Sequence, residues 1–186
     1  MFNELNFRLN NNAAIFVKNT RMKLHQLHAK QSFPISRQKA WDFLSSPKNL
    51  QEITPKHMGF TILSGADRPM YAGQIIQYKV SPLPGYTTKW VTEITHVKQG
   101  EYFVDEQRFG PYALWHHKHF INDVEGGVEM EDIIDYKIPF GIFGQIAHPI
   151  IVKKQLSQIF EYREQQLIER FGSIPGSEKE IHFKSF

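Results

Sequence analysis

The sequence predicts an α+β fold in which a curved antiparallel sheet wraps one long C-terminal helix and leaves a cavity between them. Three observations carry this. From about residue 59 to residue 138 the chain runs as six β-like segments, broken at "GADRP", "SPLPG", "QG", "GP" and "EGG". Those breaks are turn chemistry, and successive strands with short connections form an antiparallel meander. After Pro139 the pattern changes, and "IIVKKQLSQIFEYREQQLIERF" sets its apolar residues at helical spacing.

Each element has its own reason. Residues 22–33, "MKLHQLHAKQSF", alternate loosely and read as a first strand. In "FPISRQKAWDFLSSPKNLQEITP", Ser36 can cap a short helix, with Ile35 packing on Ala40 as a hydrophobic staple and Trp41 and Leu44 facing the core. Ser46 caps a second helix with Pro47 at its first position, where the missing N–H costs nothing, and Pro55 ends it. Strands are expected near 59–64, 73–80, 86–97, 101–109, 112–122 and 127–138. "FGIFGQIAHP" reads as an apolar loop whose glycines would permit a mobile lid. The long helix carries Val152, Leu156, Ile159, Phe160, Arg163 and Leu167 along one face, and Gly172 stops it. Residues 1–21, Asn-rich and poorly patterned, read as a mobile N-terminal extension, 22–172 as the domain, and 173–186 as a frayed tail.

Composition removes several function classes. At 186 residues, with 41% hydrophobic and 13% aromatic residues, the chain can bury one proper core and still line a pocket. The charge of +3 comes from scattered basic residues, which is no nucleic-acid footprint. The absence of cysteine excludes disulfides, thiolate metal sites and cysteine nucleophiles, and fits a cytoplasmic protein. No apolar run approaches the roughly 20 residues of a membrane span, so no stable membrane insertion is expected. There is no glycine-rich phosphate loop, no G-x-S-x-G and no H-E-x-x-H, which counts against a nucleotide-dependent enzyme or a general hydrolase.

The stretch "LWHHKHFI", residues 114–121, concentrates the chemistry. Alternation puts Trp115, His117, His119 and Ile121 on one face and Leu114, His116, Lys118 and Phe120 on the other. In the next strand Val128, Met130, Asp132, Ile134, Tyr136 and Ile138 share the inner face, with Asp132 its one charged member. A hairpin centred on Glu125-Gly126 sets His119 opposite Asp132, His117 opposite Ile134 and Trp115 opposite Tyr136. In "YFVDEQRF", Phe103, Asp105, Gln107 and Phe109 share a face, and a three-residue turn around Gly110-Pro111-Tyr112 sets Asp105 opposite His117. Two Asp–His pairs then lie side by side, since a buried carboxylate must be paired or protonated.

Three readings of this cluster stay open. It is a satisfied polar network that fixes sheet register, a site that meets the polar end of an apolar ligand, or a metal or acid–base centre. His-x-His with a carboxylate is a ligand set that zinc or iron accepts. The expected pairs would occupy the imidazole nitrogens with carboxylates, however, so no metal and no cofactor are expected. Elsewhere, Trp90 with Thr92 and Ile94 reads as a cavity wall or as plain core packing, and Tyr78 and Tyr136 either offer hydroxyls to a ligand or satisfy themselves. His148 stands before Pro149 near the expected pocket mouth, where surface capping is the plain alternative. Arg163, on a mainly apolar face, must either snorkel outward or reach the pocket's acids.

The segments "FPISRQKAWDFLSSPKNLQEITP", "WVTEI", "GPYALWHHKHF", "DIIDYKIP" and "IFEYR" resemble the START-like superfamily. This is the helix-grip group that includes the birch-pollen allergen, polyketide cyclases and lipid-transfer domains. Within it the chain is most similar to a bacterial branch labelled polyketide cyclase/dehydrase-like or ligand-binding. The resemblance covers roughly residues 22–172. It implies a helix-grip fold with an internal cavity and implies no metal. It does not settle function, because these domains host carriers, cyclases and hydrolases alike. The expectation is binding of a small, mainly apolar or amphipathic molecule, for transport or sensing. Trp90, Gln107, Trp115, His117, His119, Asp132, Tyr136 and Arg163 are the expected contacts. One alternative is a cyclase- or dehydratase-type enzyme, with His117 or His119 as general base oriented by Asp105 or Asp132. Another is a protein-interaction module with a closed core.

Overall fold

Burial follows strand alternation residue by residue. In β7 (Gly127–Lys137), Val128, Met130, Asp132, Ile134 and Tyr136 are buried, while Glu129, Glu131, Ile133 and Asp135 are half-buried on the other face. The computed structural model describes residues 23–83, 85–177 and 180–186; the N-terminal extension expected over 1–21 lies outside them. The elements run β1 (His25–Phe33), α1 (Arg37–Leu44), α2 (Pro47–Glu52), a 3₁₀ turn (Lys56–Met58), β2 (Thr61–Ser64), β3 (Gln74–Leu83), β4 (Tyr86–Lys98), β5 (Tyr102–Phe109) and β6 (Leu114–Val124). After β7 come α3 (Gly141–Ala147), a π-helical turn (His148–Val152), α4 (Lys153–Phe171) and β8 (Glu180–Ser185). One curved antiparallel sheet orders the strands β2-β3-β4-β5-β6-β7-β1-β8, so the first strand closes the meander beside β7. The fold is α+β, as expected.

Local signals explain the helices. The Ser36 side chain accepts a hydrogen bond from the Lys39 N–H at 3.3 Å, and Ile35 and Ala40 are buried in the same cluster. Pro47 opens α2, whose cap Ser46 makes no side-chain capping bond. At the far end Gly172, at φ 81°, sends its N–H to the Ile168 carbonyl at 2.8 Å and ends α4. Leu156, Phe160 and Leu167 of α4 are buried, and Val152 and Ile159 pack on the same core.

Two segments depart from the sequence reading. The tail is not frayed over its second half: β8 pairs with β1 from Glu180 opposite Lys30 to Ser185 opposite His25. Ile181 and Phe183 pack on the core around Leu27, Ala29 and Tyr136. Without β8, β1 would be an unpaired edge; two apolar residues in a short polar segment are too weak a period to announce that. The "FGIFGQIAHP" segment is helix rather than loop, and α3 runs through the π-helical turn into α4. Its Gly144 is required by packing, not mobility, because a Cβ there would strike the Pro139 carbonyl oxygen. Phe140, Ile142, Phe143 and Ile146 stay exposed along this segment. Among the described residues, no helix is long and apolar enough to cross a membrane.

The core has three parts. Phe33, Trp41, Phe43, Phe103, Ile121 and Leu167 pack beneath α1, Leu27, Ile134, Tyr136, Leu156 and Phe160 join β1 and β7 to α4, and Ile76, Tyr78, Val80 and Ile94 line β3 and β4. Because the sheet curls, its β3–β4 side stands away from α4, and the space between is the site.

Candidate functional site

The space is a cavity of about 200 Å³. Ile76, Tyr78, Trp90, Thr92 and Ile94 form one wall, Leu156, Ile159 and Phe160 of α4 face them, and Phe43, Leu50, Met58 and Met70 close one end. The polar part of the lining is concentrated on β5 and β6, where Asp105, His117 and His119 reach the surface of the cavity, with Arg163 beside them from α4. Trp90, Tyr112 and Trp115 make an aromatic corner, with Trp90 and Trp115 edge to face at 5.2 Å and Tyr112 4.7 Å from Trp115. Tyr112 was expected only as a turn residue; a ring in a loop carries no alternation that would reveal its direction.

The register around the histidines is the expected one. His119 stands opposite Asp132, His117 opposite Ile134, Trp115 opposite Tyr136, and Asp105 opposite His117. The outward pair is confirmed too, His116 meeting Glu106 at 3.0 Å and Lys118 meeting Asp135 at 2.8 Å. The turn between β5 and β6 is longer than the three residues expected, since pairing ends at Glu106 and His116. Gln107 is the reason: its side chain turns back onto the loop, its Nε2 donating to the Tyr112 carbonyl at 2.7 Å and its Oε1 accepting from the Tyr112 N–H at 3.2 Å. It braces the turn instead of lining the cavity.

The hydrogen bonds run diagonally across this register. His117 Nε2 donates to Asp132 Oδ1 at 2.9 Å, and His119 Nε2 donates to Asp105 Oδ2 at 2.9 Å. Diagonal neighbours on antiparallel strands are within reach of long side chains, and the two imidazoles are packed 3.7 Å apart, which turns each toward the more distant acid. His119 Nδ1 also lies 2.7 Å from Asp132 Oδ1, yet it is buried without a properly aligned hydrogen bond. His117 Nδ1 stands 3.7 Å from Asp105 Oδ2, beyond hydrogen-bond reach. Arg163 Nη1 reaches Asp132 at 3.3 Å, so the arginine goes to the acid and does not snorkel away. Asp132 therefore lies behind the histidines, held by both strands and by α4, while Asp105 stands in front on the cavity side.

This arrangement sorts the charges. Burial lowers His117 to about 4, with the charge of His119 adding to the effect and the Asp132 hydrogen bond opposing it. For His119 burial pulls the same way, but hydrogen bonds and charge from Asp105 and Asp132 outweigh it and raise its affinity for a proton. Burial alone would raise Asp132; the Arg163 charge, the His117 hydrogen bond and the close His119 ring instead hold it well below the usual carboxylate range. At neutral pH His117 is therefore uncharged and Asp132 is ionised. A carboxylate can only accept, so the neutral His117 keeps its proton on Nε2 toward Asp132. Its Nδ1 lone pair is left on the cavity side.

A second histidine group was not foreseen. His148 is buried, not at the surface: its Nε2 and the Tyr136 hydroxyl share a 2.8 Å hydrogen bond, and its ring stacks on His25 at 3.7 Å. His25 Nδ1 meets Ser185 at 2.8 Å and its Nε2 meets Gln145 at 3.1 Å. These contacts tie α3, β1, β7 and β8 together, and they commit the Tyr136 hydroxyl away from the cavity. Of the expected contacts, Trp90, Trp115, His117, His119 and Arg163 line the cavity. Asp132 acts on it only through its neighbours, and Gln107 and Tyr136 serve the fold.

No family model matches the chain, and no curated protein matches it. Solved structures do. A protein from Chromobacterium violaceum superposes with a TM-score of 0.60 at 13% identity, covering 81% of this chain and 99% of its own. One from Rhodobacter sphaeroides gives 0.55 at 16% identity, over 77% and 92%. Ara h 8.0201 gives 0.52 at 15% identity, over 78% and 99%. At these identities the likeness is one of fold: a curved antiparallel sheet gripping a long C-terminal helix, consistent with the helix-grip architecture.

Proposed function

We propose that this protein is a START-like, cytoplasmic binding protein for a small, mainly apolar or amphipathic molecule. The observation that carries the proposal is the cavity itself, apolar on most of its wall and, among the described residues, charged where Asp105, His117, His119 and Arg163 meet. An apolar body is favoured by the aromatic and aliphatic lining. A single oxygen-bearing end is favoured by the Asp105–His117–His119–Arg163 wall, which offers both donors and an acceptor. The fold likeness to Ara h 8.0201 supports the reading at the level of architecture.

The test is native mass spectrometry of freshly purified protein against its denatured mass. The expected result is added mass that leaves on denaturation as one class of organic molecule. A clean protein mass, together with no thermal stabilisation by any member of a panel of fatty acids, isoprenoids and aromatic polyketides, would sink the proposal.

One observation favours a second reading. A neutral His117 oriented through Nε2 by Asp132, with Nδ1 on the cavity, has the arrangement of a general base held by a carboxylate. On that reading the occupant is turned over, in a cyclisation or dehydration, and is recovered changed. Recovery of the same molecule after incubation decides against it.

A further inference from the structure

We infer that Asp105, His117 and His119 form a binding site for one divalent transition-metal ion, with open coordination positions facing the cavity. Each imidazole faces one acid with one nitrogen and the other acid with its second nitrogen. Asp132, behind the rings, lies 2.9 Å from His117 Nε2 and 2.7 Å from His119 Nδ1. The other nitrogen of each ring, His117 Nδ1 and His119 Nε2, points with the Asp105 carboxylate to the front. One ligand atom from each of Asp105, His117 and His119 lies within 4.8 Å of the others, and Asp105 Oδ2 is 3.7 Å from His117 Nδ1 and 2.9 Å from His119 Nε2. Ligands bound at about 2.1 Å sit roughly 3.0 to 3.4 Å apart around one ion, so the 3.7 Å separation closes with a shift of a few tenths of an ångström and the widest ligand pair with up to about 1.4 Å.

The outer contacts are those a metal centre requires. A ligating histidine ordinarily donates its remote N–H to a carboxylate, which fixes the tautomer and turns the lone pair toward the metal. Asp132 is placed to do this for both rings at once, and Arg163 Nη1 stands 3.3 Å from it on the far side. The site also accounts for a defect. His119 Nδ1 is buried beside Asp132 without an aligned hydrogen bond, because the ring is turned to bring Nε2 onto Asp105. A metal between Nε2 and Asp105 would separate that pair and let the ring swing Nδ1–H into line with Asp132. Two imidazoles and one carboxylate on one side of an ion leave the cavity side open, a donor set suited to ferrous iron or zinc. The open positions would take water or an anionic oxygen.

Cobaltous ion is the probe, added to chelator-stripped full-length protein. The expected result is one equivalent bound, with visible d–d bands and an X-ray absorption signature of two imidazoles. His117→Gln and Asp105→Asn should each weaken binding by at least about 100-fold, while the outward His116→Ala leaves it unchanged; Asp132→Asn should weaken it about 10- to 100-fold. Absence of stoichiometric binding to the unmodified protein overturns the inference, whatever the variants do. So does binding that is equally tight in His117→Gln and Asp105→Asn, or an absorption signature without two imidazoles. The titration contains no organic ligand, so its failure leaves the apolar-binding proposal standing. An empty cavity in the mass spectrum leaves the metal result standing.

Discussion

Asp132→Asn is the perturbation that tests most of the reasoning at once. Asp132 is 9% exposed, and its carboxylate meets His117 at 2.9 Å, His119 at 2.7 Å and Arg163 at 3.3 Å. Asparagine keeps the shape and one acceptor oxygen but removes the charge that faces the Arg163 guanidinium and the two histidine rings. Breaking a buried ion pair by removing one partner costs about 3–5 kcal/mol. At about 2–4 °C per kcal/mol for a chain of this size, Tm should fall by roughly 6–20 °C, with the conservative replacement placing it near the lower half. The assay is thermal unfolding by circular dichroism at pH 7 on chelator-treated protein. Arg163→Met should also destabilise, and the double variant should lose less than the two single losses added, because each removes the other's unpaired charge. Asp132 is held below its ordinary value, so its contribution is present above about pH 3.9 and disappears as pH falls toward its folded value; the gap between variant and parent should close there. A change in Tm below about 2 °C at pH 7, with additive losses in the double variant, would refute the buried network.

Three further outcomes are expected. Acid should destabilise the metal-free protein between pH 6.5 and 4, because His117 and His148 are each lowered from 6.5 to about 4 and the unfolded chain takes up protons that the folded one refuses. His119, raised, contributes in the opposite direction, as pH rises. His148→Gln should flatten the acid limb, and an unchanged profile of Tm against pH would show that His148 is not buried as described. A chain ending at Gly172 should melt several degrees lower, since β1 loses its β8 partner and Ile181 and Phe183 no longer cover the core; equal melting curves would mean the strand adds nothing. Ile159→Trp should fill the cavity from α4 and abolish retention of organic mass in native mass spectra, with Tm little changed. Undiminished retention would place the occupant elsewhere.

What the amino-acid order determined by itself was everything that depends on period and on a single hairpin. Alternation with period two put His117, His119 and Asp132 inward and His116 outward, and the Glu125-Gly126 turn set the β6–β7 register, because a one-residue slip would have turned the apolar face of β7 to water. Helical spacing likewise placed Leu156, Phe160 and Arg163 toward the sheet. Four things were decided only in three dimensions. β8 pairs with β1, two elements far apart in sequence, and a six-residue strand carries too little pattern to name its partner. His148 is buried because His25 and Tyr136 arrive from other strands to receive it. Gln107 turns away from the cavity to satisfy the backbone of its own loop. Register places Asp105 opposite His117 and Asp132 opposite His119, yet the nearest well-formed bonds cross, because two imidazoles 3.7 Å apart cannot both face the acid directly opposite. Facing is a property of the strand, but which nitrogen meets which oxygen depends on how neighbouring rings share the space between strands.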